Sequence, residues 1–212
     1  AASAAGAGVL AAGGNVVDAA AATSFALAVV RPHSTGLGGG GFMLLKLAGK
    51  DPVFLDYRET APGLAEPAAY LGADGLPIPG KTETGPWAVG VPGYLHGVPR
   101  ILAEHGTMPL AKVLEPAVKL AETGEPVDAV LHEAMLDLAA RIAASGEPRR
   151  YAEIARIFLK DGRPYAVGEV LRQPELAAAL RRLAAEGAPK FFAGACSAGG
   201  WAAAGPAAGG PL

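Results

Sequence analysis

Few side chains in this 212-residue chain stand where chemistry could be done. Arg58 is the foremost. It sits in Asp56-Tyr57-Arg58-Glu59, at the end of the apolar run Val53 to Tyr57. A guanidinium carries its donors in a rigid planar fork and can hold a carboxylate through two parallel hydrogen bonds. The plainer alternative is a surface arginine paired with Glu59 or Asp56. The residue types alone leave both readings open.

Other candidates carry less. Gly36, Gly38 and Gly41 match G-x-G-x-x-G, but that fingerprint must follow a strand and open a helix. Here a helical pattern precedes the glycines and a strand pattern follows, so dinucleotide binding is rejected. His33, His96, His105 and His132 lie far apart, with no H-E-x-x-H and no paired cysteines. No metal site is expected. Cys196 is the only cysteine, so no intrachain disulfide forms, and nothing around it would lower a thiol pKa. There is no G-x-S-x-G, and nothing selects a Ser-His-Asp set from the residues available.

The elements that must position Arg58 are legible. Gly38, Gly39, Gly40 and Gly41 lead into the apolar run Phe42 to Leu47. A turn over Ala48 to Pro52 and the run Val53 to Tyr57 complete a β-hairpin. Only Lys46 and Asp56 interrupt its apolar character, which predicts a hairpin covered on both faces. Before it, Ser3 to Ala12 reads as a helix ending at Gly13-Gly14. Asn15 can cap the next helix, Val16 to Val30, with Asp18 in its first turn. That helix is small and apolar all round, which predicts burial between layers. Glu59 to Gly93 is rich in proline and reads as a functional surface loop or cover. Further helices are predicted over Gly93 to Glu104, then from a Thr107 cap to about Ala121. Others follow over Val127 to Ala144, Ala152 to Leu159 and Gln173 to Glu186. The Val127 to Ala144 helix shows one apolar stripe: Val127, Val130, Leu131, Met135, Leu138 and Ile142. Arg181 and Arg182 read as a solvated helix end. From Ala195 to Leu212 periodicity is lost, which suggests an irregular tail or a sequence abnormality.

Composition bounds the function. The net charge is −2 and 51% of residues are hydrophobic. No basic excess exists to neutralise phosphates, so nucleic acid is not an expected partner. The longest apolar stretch, Val16 to Val30, is too short to span a membrane. The chain opens on Ala1 rather than Met, so more sequence is expected upstream.

Several blocks taken together are specific. AAGGNVVDAAAATSFALAVVRPHSTGLGGGGFMLL is followed by DYRETAP, by GVPG at Gly90 to Gly93, and by HGTMPLAKVLEPAVKLAETG at His105 to Gly124. In this order, from Ala1 to about Gly194, they resemble the γ-glutamyltranspeptidase (glutathione hydrolase) family. The resemblance implies an α+β fold, the αββα sandwich of N-terminal-nucleophile hydrolases. Only its N-terminal portion is matched, as residues 1–194 of a large subunit. Members are made as one precursor that cuts itself into a large and a small subunit. The new N-terminal threonine attacks the γ-glutamyl amide of glutathione or a related compound, without a cofactor. Water or an amino acid then releases the acyl group. The arginine of the family's D-[FY]-R-E block binds the substrate α-carboxylate, and that position is Arg58. Gly38, Gly39, Gly40 and Gly41 become structural, bringing the chain into the sheet beside the pocket. Members are usually exported.

Two departures stand out. No threonine here lies in the nucleophile's context, so no catalytic residue is expected in this chain. The missing C-terminal part and the small subunit are its implied partners, and the chain alone is expected to be inactive. Second, ACSAGGWAAAGPAA occupies the place of a regular family helix, so residues 195–212 depart from the pattern. A local frame error would explain it. Two alternatives accompany this reading: a relative of glutaryl-β-lactam acylases, and a truncated, non-catalytic binding module.

Overall fold

The computed structural model describes residues 1–193; the irregular tail read at 195–212 lies outside them. The described residues fall into two units. One comprises Ala1–Gly36 and Gly106–Arg181, the other Leu37–His105 and the chain from Arg182.

The first unit is built on three helices, α1 (Ala2–Ala11), α2 (Val16–Val30) and α4 (Leu110–Thr123). Helix α1 ends as its glycines require. Gly13 takes φ +90°, its N–H donates to the Leu10 carbonyl and the Gly14 N–H to that of Val9. This is a Schellman closure. Asn15 then caps α2: its Oδ1 accepts from the Val17 and Asp18 amides, and Asp18 Oδ2 accepts the Asn15 amide at 2.7 Å. Both partners of a capping box are present. Helix α2 packs on α1 and α4, with Ala21, Ala22, Phe25 and Ala26 wholly enclosed. Burying Phe25 alone contributes about 2–3 kcal/mol. Val16, at the exposed start of the helix, escapes the predicted burial.

Asp18 does more than cap. Its side chain is fully buried, and Thr107 reaches it from 89 residues away through its amide (2.9 Å) and hydroxyl (2.6 Å). The Met108 amide adds a third donor at 3.0 Å. Burial works to raise the carboxyl pKa. The hydrogen bonds from the Thr107 hydroxyl and the Met108, Asn15 and Thr107 amides outweigh it and hold the group below the usual carboxylate range. Thr107 therefore serves Asp18 instead of capping α4 as expected. Pro109 occupies the N-cap of α4 with no side-chain bond.

The same unit holds α5 (Ala129–Ala144) and α6 (Ala152–Phe158). Asp128 caps α5 by accepting the Leu131 amide. Val127, Leu131 and Met135 form a core with Leu159 and Leu171, and Leu138 and Ile142 pack against it. Val130 points outward, because α5 begins at Ala129 and the stripe turns past it. Two short antiparallel pairs finish the unit. Strands β3 (Glu125–Pro126) and β6 (Val170–Leu171) pair, as do β4 (Leu159–Lys160) and β5 (Arg163–Pro164). The β4–β5 turn is Asp161-Gly162, both at positive φ, as a tight hairpin demands.

The second unit contains the hairpin and the loop. Strand β1 (Phe42–Leu45) pairs with β2 (Val53–Asp56), with Phe42 opposite Asp56 and Leu45 opposite Val53. Helix α3 (Tyr94–His105) follows the 59–93 loop, whose regular pieces are single turns at Pro67–Tyr70 and Pro86–Ala88. The hairpin departs from expectation. Phe42, Leu44, Val53 and Phe54 are exposed, so it is not covered on both faces. Among the described residues no second sheet layer lies on it. Helix α7 (Pro174–Ala193) is interrupted at Gly187, whose φ of 74° and ψ of 163° end the regular stretch after Glu186. Arg181 and Arg182 lie on its exposed side, paired with Glu122 and Glu186.

Candidate functional site

The site assembles where β2 ends. The ladder continues one residue past the strands: the Gly41 and Tyr57 backbones exchange bonds of 3.2 and 2.9 Å. Two residues earlier, the Gly39 carbonyl accepts the Gly93 and Tyr94 amides at 3.1 and 2.9 Å. The glycine turn thereby anchors the N-terminus of α3. Beyond Arg58, Thr60 pairs with Val91 through bonds of 3.3 and 2.8 Å, which ties the Gly90-Val91-Pro92-Gly93 segment to the same exit.

This convergence sets Gly40 and Gly93 directly against backbone. A Cβ on Gly40 would stand 2.5 Å from the Tyr57 carbonyl oxygen and 2.8 Å from the Glu59 amide nitrogen. One on Gly93 would collide with that carbonyl outright. Gly38, by contrast, faces open space. Tyr57 is pressed against α3, with its ring edge-on to Tyr94 at 6.4 Å, and burial raises its phenol pKa. Tyr57, Tyr94 and Gly93 were not singled out as a group from sequence. Their signal was the second glycine block, GVPG, whose last residue is the one that touches the first block's strand.

Arg58 itself is held from three directions. Its amide donates to Asp56 Oδ1 at 2.9 Å, fixing the backbone at the exit. Its Nη1 lies 3.3 Å from Glu59 Oε2. That oxygen is shielded from solvent and its approach to Arg58 is out of hydrogen-bond alignment, so the contact is ionic. The guanidinium carbon stands 5.9 Å from the centre of the Phe42 ring. The side chain remains 56% exposed, so the Glu59 pair is a loose one and leaves the group accessible. Arg58 thus pairs with Glu59 and still presents donors outward.

The histidines do not join it as a cluster. His33 and His132 belong to the first unit, where His132 Nδ1 lies 2.7 Å from the Tyr165 carbonyl and so donates to it. His96 and His105 lie on α3. Among the described residues no three His, Cys, Asp or Glu side chains are grouped to hold a metal. No helix among them is long and apolar enough to cross a membrane. Cys196 lies outside the described residues.

Comparison with known proteins shows the family. The family model described as gamma-glutamyltranspeptidase matches residues 2–210. The chain belongs to the γ-glutamyltranspeptidase family. A glutathione hydrolase proenzyme of Pseudomonas sp. (strain A14) is 40% identical over 186 residues, which is 88% of this chain and 32% of that protein. The γ-glutamyltranspeptidase from Pseudomonas nitroreducens, solved in complex with L-DON, superposes with a TM-score of 0.84 at 36% identity. It covers 98% of this chain and 58% of that one. A cephalosporin acylase from Bacillus halodurans superposes with a TM-score of 0.87 at 33% identity, over 100% of this chain and 39% of its own. The fold is accordingly the α+β one of N-terminal-nucleophile hydrolases, present in part. Asp56 to Glu59, the stretch that ends the hairpin, lies within the matched residues.

Proposed function

We propose that this chain supplies the carboxylate-binding part of an autoprocessing γ-glutamyltransferase or glutathione hydrolase. Arg58 holds the substrate's α-carboxylate, and this orients the γ-carbonyl for attack. The nucleophile is an N-terminal threonine supplied by sequence outside this chain. Its own amine takes the hydroxyl proton as the γ-glutamyl ester forms and passes it to the substrate's departing amine. Water or an acceptor amine then resolves the ester, with no cofactor. Gly39, Gly40 and Gly41 act as the structural turn that brings β1 alongside Tyr57 and the Arg58 exit. Gly38 belongs to the same turn.

The observation that supports this reading is the state of Arg58. Its backbone is fixed by Asp56, one nitrogen is steadied by Glu59, and the guanidinium is still accessible. In the complete enzyme, Arg58→Ala should raise KM for a γ-glutamyl anilide about 10- to 100-fold, the worth of a hydrogen-bonded charge pair. Arg58→Lys should recover only part of this, because an ammonium lacks the fork. An unchanged KM for Arg58→Ala would overturn the carboxylate role.

The similarity to a cephalosporin acylase supports a second reading, an acylase for glutaryl side chains. A glutaryl group ends in a carboxylate but lacks the α-amine, so Arg58 serves either substrate. Comparing rates on glutaryl and γ-glutamyl anilides decides between them.

A further inference from the structure

Strand geometry puts an aromatic ring under the proposed carboxylate ligand. Phe42 stands directly opposite Asp56 in the β1–β2 register. Side chains two apart on a strand share a face, so Phe54, Asp56 and Arg58 lie on the same face as Phe42. Phe42 is then the diagonal neighbour of both Phe54 and Arg58. The rings of Phe42 and Phe54 stack at 5.7 Å with 23° between their planes. On the other side, the Arg58 guanidinium carbon lies 5.9 Å from the Phe42 ring centre. The row runs Phe54, Phe42, Arg58.

Each part of the row constrains the next. The Phe42 backbone is fixed in the ladder, next to the Gly41–Tyr57 pair. The Tyr57 hydroxyl approaches its carbonyl at 3.4 Å. Phe54 limits the tilt of the Phe42 ring. The negative face of that ring attracts a guanidinium and favours a planar approach. Glu59 steadies one nitrogen, but its contact is out of alignment and cannot by itself set the plane of the fork. A two-pronged grip on a carboxylate depends on that plane.

We infer that Phe42 is a positioning residue for substrate binding: its ring sets the plane in which Arg58 presents its donors to the carboxylate. The inference rests on the reading of Arg58 given above. Phe42 touches no substrate and acts only through Arg58.

The test is a double-mutant cycle in the complete, autoprocessed enzyme, read as KM and kcat on a γ-glutamyl anilide. Phe42→Leu removes the ring face and keeps an apolar side chain. It should raise KM about two- to fivefold, the effect of losing an exposed cation–π contact, and leave kcat unchanged. Phe42→Tyr keeps the face and should retain the native KM. In an Arg58→Ala background, Phe42→Leu should add nothing. If Arg58→Ala raises KM but Phe42→Leu does not, Phe42 has no positioning role and the inference fails. If Phe42→Leu raises KM equally in both backgrounds, its role is structural and the inference again fails. If Arg58→Ala itself leaves KM unchanged, the reading of Arg58 has failed, and the inference goes with it. Self-cleavage into two subunits serves as the folding control for each variant.

Discussion

Asp18 carries the largest single stake of any residue in the first unit. Four donors from three residues converge on a carboxylate with no solvent access. Replacing it by Ala would leave the part-buried amides of Asn15, Thr107 and Met108 without their acceptor. The expected loss is about 3 kcal/mol or more, readable as a lower urea midpoint. Its titration gives a second prediction. The folded-state pKa lies below the unfolded value of about 3.9, so the stabilisation is complete above that pH. It is lost as pH falls through the folded-state value. Denaturation at pH 6 and at successive values below 4 should show this decline. Asp18→Asn should be less stable at pH 6 and flatter across the acid range. An unaltered acid slope in that variant would mean other carboxylates control it. The role was half legible: Asn15 was read as the cap and Asp18 as a first-turn charge, but not their reciprocal bonds. The bond to Thr107 was not legible, because a side chain read locally as a cap for one helix served another 89 residues away.

At the scale of elements, the two glycine blocks make a prediction that separates structural glycines from incidental ones. Gly93→Ala puts a methyl against the Tyr57 carbonyl, and backbone on both sides cannot yield cheaply. It should cost about 1–3 kcal/mol and loosen the Arg58 exit with it. Gly38→Ala meets nothing and should stay within about 0.5 kcal/mol of the parent. Thermal melts of the pair check this, and equal losses would refute the cradle. Helices were the legible elements. Val16–Val30 was marked by a cap before it and Pro32 behind it, and its observed ends agree. Strands β3 and β6 escaped notice because two residues show no period, and Glu125 pairs with Leu171 and Pro126 with Val170 from far along the sequence. Thr60 and Val91 were hidden for the same reason: a loop's cross-bridges depend on where its ends are held.

At the scale of the whole molecule, the exposed hairpin is the dominant feature. Phe42, Leu44 and Phe54 present 57%, 72% and 63% of their surfaces to solvent on adjoining strands. The apolar runs announced the hairpin itself, but the cover on both faces that they also predicted is not found among the described residues. This chain spans 32% of its Pseudomonas glutathione hydrolase relative. Produced by itself, it should associate in sedimentation experiments and bind a hydrophobic dye. Leu44→Lys should reduce both, since a charge at an open strand blocks edge pairing. A monodisperse, dye-silent monomer would instead favour a self-sufficient binding module.

The Gln173 side chain has one more consequence. Its Nε2 donates to the Val29 carbonyl at 2.8 Å, joining residues 144 positions apart at the end of α2. A ribosome adding about 5–20 residues per second needs roughly 7–30 seconds to bring the second after the first. Through that interval the end of α2 lacks its closing donor, and for the earlier part Asp18 also waits for Thr107. Full closure of the N-terminal helices is therefore expected only after the segment that carries Gln173 has been translated.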